Sequence, residues 1–261
     1  MGEVKTVELS ALREDPYRSI LCYPRFSVEE LERRVSELSG LGISALEFRG
    51  SRRIFGVGIL GKGCVGIVVL ALQNGGRVAV KILRTDANRN GFEHESSMLK
   101  LANSVGVGPR LLSFSSRFLV MEYLDGMPLP QWVMGLTGRG RKARLRRVLA
   151  SLLEKCHRLD QMRLDHGELS RAPKHIIVEA QDKPEIVDFE TASTERRPSN
   201  VTSLSQYLLI GSDLSAQIRR ILGPVGKRAL ITALRRYKKG EHVTIQPILQ
   251  ILGCDNLSSG E

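Results

Sequence analysis

The chain has 261 residues, 42% of them hydrophobic, enough to bury one large core or two small ones and too many for a disordered chain. A net charge of +11 favours a polyanionic partner such as nucleic acid or nucleotide, or else a solvated basic surface. No apolar run approaches the roughly 18 residues of a membrane span, so no membrane partner is expected. The N-terminus lacks the apolar stretch of a signal peptide, and the four cysteines (Cys22, Cys64, Cys156, Cys254) are too dispersed for a zinc or disulfide framework. A cytoplasmic location is the expectation.

Residues 27–39, SVEELERRVSELS, open with Ser27 and carry Glu30 three positions later, the pattern of a capping box. Val28, Leu31, Val35 and Leu38 recur on one helical face, and Gly40 and Gly42 end the helix. ISALEFRGSRRIFGVGIL then reads as strand and turn, and residues 1–50 form an N-terminal extension. Over 51–125, GIVVLAL, RVAVKIL and FLVMEYL read as strands, NGG at 74–76 as a hairpin turn, and NGFEHESSMLKLANSV as a helix. Over 126–261 the period becomes helical. Leu145, Val148, Leu149, Leu152, Leu153, Cys156 and Leu159 mark one long amphipathic helix, and four more helical stretches follow residue 200. Between them lies DHGELSRAPKHIIVEAQDKPEIVDFE, two short apolar runs about a polar turn, which predicts a hairpin with acids at its outer corners.

Gly61, Gly63 and Gly66 spell G-x-G-x-x-G. A dinucleotide loop would open a helix. Here β-branched residues follow, which puts the glycines in a strand–turn–strand hairpin whose backbone can lie close over phosphate oxygens. No G-K-[ST] follows, which excludes a Walker loop. Lys81, in VAVK, is either a surface lysine on an alternating strand or a lysine among buried valines that must meet an anion. Glu95 in the next helix offers that anion, and Glu93 is an alternative on another face. FLVMEYLDG breaks at Asp125-Gly126, where the backbone of Glu122 and Leu124 offers a donor and an acceptor to an adenine edge.

In this order, the glycine loop, strand lysine, helix glutamate, MEYLDG, HGEL and DFE resemble the protein-kinase fold over about residues 55–210. The small second half is similar to the archaeal atypical serine/threonine protein kinases, related to the RIO family and to the kinase of the tRNA-threonylcarbamoylation complex. The resemblance implies an α+β, bilobal protein-kinase-like fold with a reduced helical C-lobe. It implies phosphoryl transfer to Ser/Thr of a protein substrate, with ATP and Mg2+ or Mn2+ as cofactors. Gly61, Gly63, Gly66, Val68, Ala79, Lys81, Glu95, Glu122 and Leu124 would bind the nucleotide. Glu168, Lys81 and Asp188 would be catalytic, with Glu168 as the proton acceptor. Asp188, His175 and Glu190 would hold metal.

The departures from that family are informative. Five residues after Glu168 the family has Asn, and this chain has Pro173. An insertion of about two residues would bring His175 to that place. Glu190 stands where the family has Gly, and it would supply an oxygen ligand. An imidazole ligand predicts stronger activity with Mn2+ than with Mg2+. No A-P-E and no long activation segment follow DFE, so a folded protein or an RNA-bound partner is expected as substrate. Basic clusters at Arg139–Arg147, Arg196-Arg197 and Arg235–Lys239 suggest RNA or ribonucleoprotein association, or a solvated surface. His166 reads as a structural residue, and Asp160 and Asp165 as surface acids. A small-molecule kinase of the same fold and an ATP-binding scaffold without transfer are the alternatives.

Overall fold

The computed structural model describes residues 4–88, 91–241 and 244–254, in a mixed arrangement of antiparallel sheet and helices. It divides into two compact units, one drawn from residues 1–100 and 109–123, the other from 101–108 and 124–261. Among the described residues no helix is long and apolar enough to cross a membrane.

The first unit is built on an antiparallel sheet. Its strands are β1 (Lys5–Glu8), β2 (Ile43–Phe48), β5 (Gly61–Lys62), β6 (Gly66–Gln73), β7 (Gly76–Leu83), β8 (Leu111–Phe114) and β9 (Phe118–Glu122). Their order is β1-β2-β6-β7-β9-β8, with β5 paired to β6. A separate hairpin joins β3 (Arg52–Ile54) to β4 (Val57–Ile59). Asn74 and Gly75, at φ 50° and 77°, make the tight turn between β6 and β7, as the NGG signal predicts.

One face of this sheet carries Ile67, Val69 and Ala71 of β6, Val78, Val80 and Ile82 of β7, and Phe118 and Val120 of β9. These pack with Tyr17 and Ile20 of α1 (Tyr17–Leu21) and Leu31, Val35 and Leu38 of α2 (Val28–Gly40). Each buried Val, Leu, Ile or Phe among them contributes about 1.5–3 kcal/mol by leaving water. The boundary drawn from sequence at residue 50 therefore has no counterpart in the sheet. The first fifty residues supply two of its strands and the helices that cover one face.

Ser27 caps α2 by accepting a hydrogen bond from the Glu30 amide at 3.1 Å. The reciprocal half of the predicted capping box is not made, because the Glu30 carboxylate serves two arginines. Arg34 Nε donates to it at 2.7 Å and Arg117 Nε at 2.9 Å. Arg34 is itself buried on the covered face, donating to the carbonyls of Leu21 and Leu83, while Val28 stays exposed.

The chain passes to the second unit between Tyr123 and Leu124, close to the predicted 125/126 boundary, and 101–108, from the end of α3 (Glu93–Ser104), also belong there. This unit has a three-stranded antiparallel sheet of β10 (Gly126–Pro128), β11 (Ile176–Glu179) and β12 (Pro184–Ile186). Its helices are α4 (Leu129–Met134), α5 (Arg141–Gln161), α6 (Asn200–Ser205), α7 (Asp213–Leu222), α8 (Lys227–Lys239) and α9 (Gln246–Leu252). All seven apolar positions predicted for α5 are buried. Lys155 is buried with them, which demands a partner. Its Nζ meets Glu185 of β12, whose other oxygen accepts the Gly108 amide at 3.2 Å.

Candidate functional site

In the first unit the residues implicated by sequence share one sheet face. The β6–β7 register sets Gly66 opposite Leu83, Val68 opposite Lys81 and Leu70 opposite Ala79. Opposed residues point the same way, so Gly66, Val68, Ala79 and Lys81 line the face that the N-terminal helices leave uncovered. Lys81 is 5% exposed and Glu95 2% exposed, and Lys81 Nζ lies 2.8 and 3.0 Å from the two Glu95 carboxylate oxygens. The surface-lysine reading is thereby set aside. Glu95 is the partner, and Glu93 is exposed in the same first turn of α3.

The three loop glycines differ in what requires them. A Cβ on Gly66 would meet the Ile82 carbonyl oxygen at 2.9 Å and Lys81 Cγ at 3.1 Å, so the fold itself demands glycine there. A Cβ on Gly61 or Gly63 would find only ordinary contacts, at 3.7 and 3.6 Å, and neither residue has positive φ. Nothing inside this unit asks for glycine at those two positions.

At the break after β9, two of the backbone groups expected to meet an adenine edge are engaged within the chain. The Glu122 amide donates to the Arg110 carbonyl at 2.9 Å, and the Glu122 carboxylate accepts the Arg110 amide at 3.1 Å. Glu122 therefore offers no free donor. The Leu124 carbonyl accepts the Gly126 amide at 3.0 Å.

In the second unit the predicted hairpin is present. β11 pairs with β12, Ile176 opposite Ile186, and the Val187 amide extends the ladder by donating to the His175 carbonyl at 2.9 Å. This fixes His175 and Asp188 at adjacent ends of the two strands. Glu168, just before the turn Leu169–Lys174, arrives at the same corner. His175 Nε2 lies 3.1 Å from Glu168 Oε2 and His175 Nδ1 lies 3.7 Å from Asp188 Oδ2. One ligating atom from each of the three residues falls within 4.8 Å of the others. His175 is buried and its Nδ1 has no hydrogen-bond partner, whereas both carboxylates are about one-third exposed, at 39% and 32%. An orphaned imidazole nitrogen 3.7 Å from a carboxylate oxygen fits a divalent cation. A carboxylate oxygen of Glu190 also lies within 4.8 Å of one on Asp188, although Glu190 is outside the His175 group.

Asp188 adopts φ 73°, a strained conformation for a residue with a side chain and one that concentrates at working sites. Phe189 beside it is buried, its ring centroid 5.0 Å from that of His166. His166 Nε2 lies 3.1 Å from the Val187 carbonyl oxygen, which can only accept, so the proton is on Nε2. Burial, reinforced by the nearby His175, pushes the His166 imidazole down to about 4, so it is neutral near pH 7. Its structural role agrees with the sequence reading. Gly167 has φ 87°, and a Cβ there would meet Arg196 Nη2 at 2.8 Å and the Thr191 carbonyl at 3.0 Å.

Asp160 and Asp165 are not the surface acids expected. Asp165 accepts the Arg196 guanidinium at 3.0 Å and the Ser199 amide at 3.1 Å. Asp160 accepts the amides of Asn200 and Val201, the Asn200 side chain and the Tyr237 hydroxyl. Burial holds Asp160 above the usual carboxylate range despite those donors. Asn200, which the sequence reading missed, ties the system together. Its Oδ1 accepts the His166 amide at 2.9 Å and its Nδ2 donates to the Leu164 carbonyl at 2.7 Å. Its only signal is its place after Pro198-Ser199 at the start of an apolar helical run.

Much of the basic charge is engaged internally. Arg144 grips Asp182 at 2.6 and 2.8 Å, Arg147 reaches the same carboxylate, Arg196 holds Asp165, and Arg197 donates to the Lys238 carbonyl. Arg139, Arg141 and Lys142 remain exposed. No protein-family model matches the chain, and no curated protein is significantly similar to it.

Proposed function

We infer that the protein is an ATP-dependent phosphotransferase of the protein-kinase type, acting on Ser/Thr hydroxyls of a protein. The observation that carries this reading is the hairpin corner, where Glu168 and Asp188 meet one buried histidine and Asp188 is held in a strained conformation. The buried Lys81–Glu95 pair and the two glycines with no internal reason to be glycine support it from the first unit.

The reading assigns phosphate gripping to the first unit. Backbone amides near Gly61 and Gly63 approach the triphosphate where no side chain intervenes, and Lys81 supplies a fixed positive charge. Glu95 holds that charge in one place, so little ordering is needed when the phosphates arrive. Metal holding and proton acceptance fall to the second unit. Glu168 accepts the proton of the attacking hydroxyl. Asp188 holds a divalent cation, Mg2+ or Mn2+, with His175 or Glu190 as a further ligand. Such a cation neutralises phosphate charge when bound. Asn200, His166 and Gly167 fix the backbone that carries Glu168. A ribonucleoprotein substrate would dock through Arg139, Arg141 and Lys142.

Calorimetry tests the nucleotide half. ATP is expected to bind the wild type in the presence of Mg2+ or Mn2+, and Lys81→Met to weaken it by about tenfold or more, as loss of a charged hydrogen bond does. A wild type that binds no ATP with either cation contradicts the reading.

A further inference from the structure

The His175 ring lies between two carboxylates, and one of its two nitrogens is left unsatisfied. It is 7% exposed, and its Nδ1 has no hydrogen-bond partner, with Asp188 Oδ2 at 3.7 Å. A hydrogen bond does not span that separation. Two metal–ligand bonds of about 2.1 Å do, meeting at roughly 120°. On the other side of the ring, Nε2 is 3.1 Å from Glu168 Oε2. A ligating histidine characteristically presents its second nitrogen to a carboxylate, which fixes tautomer and ring orientation. When Nδ1 ligates, the one remaining ring proton sits on Nε2 and faces Glu168.

The donor set also discriminates between cations. Mg2+ prefers oxygen ligands and keeps several waters. An imidazole nitrogen suits a borderline cation better.

We propose that His175 Nδ1 and Asp188 Oδ2 form a site for a divalent transition-metal cation that accepts an imidazole nitrogen, for which Mn2+ is the paramagnetic probe, and that Glu168 orients His175 from its opposite edge. Occupancy then fixes the tautomer whose N–H steadies Glu168. The cation site stands on the geometry alone. The consequence for Glu168 as proton acceptor rests on the phosphotransferase reading.

The test uses the full chain, Mn2+ as probe and electron paramagnetic resonance as readout. Mn2+ is added alone, then with a non-hydrolysable ATP analogue whose binding is followed separately by calorimetry. The wild type is expected to bind Mn2+ with an imidazole-nitrogen hyperfine coupling that changes when histidine is labelled with nitrogen-15. His175→Asn is expected to lose the coupling and to weaken Mn2+ by at least the roughly tenfold loss that even an outer-shell change costs. Mg2+ affinity is expected to change less. Glu168→Gln is expected to keep the coupling with a smaller loss of affinity. The labelling result does not depend on any variant folding. Absence of bound Mn2+, absence of a histidine coupling in the wild type, or its persistence in folded His175→Asn overturns the proposal, whether or not the analogue binds. A coupling with Mn2+ alone and no binding of the analogue upholds the cation site and removes the phosphotransferase reading.

Discussion

Lys81 Nζ lies 2.8 Å from Glu95 Oε1, and both side chains are almost wholly withdrawn from water. Removing one partner strands the other charge in a low-dielectric setting. Lys81→Ala is therefore expected to destabilise the first unit by about 3–5 kcal/mol. Lys81→Met combined with Glu95→Leu is expected to recover most of that loss, because an apolar pair fills the same space without a desolvated charge. Urea unfolding of the two variants measures the difference. A Lys81→Ala protein as stable as the wild type would show that the pair is solvated.

The loop glycines separate folding from binding. A Cβ on Gly66 would come within 2.9 Å of a backbone oxygen, so Gly66→Ala is expected to cost about 1–3 kcal/mol of stability. At Gly63 there is room, and Gly63→Ala is expected to leave the unfolding midpoint within about 0.5 kcal/mol of wild type. ATP affinity of Gly63→Ala is nevertheless expected to fall, since the new methyl group would stand between backbone and phosphate. Unchanged affinity would mean that this loop does not contact the nucleotide.

Asn200 latches the segment that carries Glu168, joining the His166 amide, the Leu164 carbonyl and Asp160. Asn200→Ala leaves these buried groups unsatisfied and is expected to cost about 3 kcal/mol. Hydrogen exchange at the His166 amide is expected to accelerate more than exchange in the first unit. Equal acceleration everywhere would indicate global loosening instead of a released latch.

The hairpin tip supplies a pH dependence. Hydrogen bonding from Arg144, partly offset by burial, holds the Asp182 carboxyl below its usual range. A depressed carboxyl pKa means that the folded state binds the proton less readily than the unfolded chain. The stability it contributes is complete above the unfolded value of about 3.9 and disappears as pH falls through the folded value. Arg144 is 42% exposed, so solvent screening limits the contribution to about 1 kcal/mol or less. Asp182→Asn is accordingly expected to melt a few °C lower than wild type at pH 7, with the gap closing below about pH 4. A gap that persists undiminished at pH 2.5 would assign the loss to packing.

Local signals in the sequence carry local structure. The seven apolar positions of α5, the NGG turn and the β11–β12 hairpin are set by spacing and turn chemistry within a few residues, and the structure has them where the pattern predicts. Lys81 was ambiguous because burial is a tertiary property, decided by β7 lying between β6 and β9. The first fifty residues looked like an extension because the pairing of β2 with β6 crosses more than twenty residues and leaves no periodic trace. The same holds for polar latches. Asp160, Asp165 and Asn200 have the composition of loop and cap residues, and only the approach of segments 31–41 residues apart turns them into buried anchors. Glu30 shows the converse, where a good local motif yields to a stronger tertiary demand from Arg34 and Arg117.

Phosphoryl transfer is tested most directly by incorporation of labelled γ-phosphate from ATP into protein Ser/Thr, for wild type, Glu168→Ala and Asp188→Ala side by side, with Mg2+ and with Mn2+. Incorporation is expected in the wild type, more with Mn2+, with a loss of about a hundredfold or more in Glu168→Ala, the scale of removing a catalytic acid–base group, and a loss in Asp188→Ala through its metal-holding carboxylate. A wild type that binds ATP yet transfers nothing with either cation, or variants that transfer as well as the wild type, would contradict it.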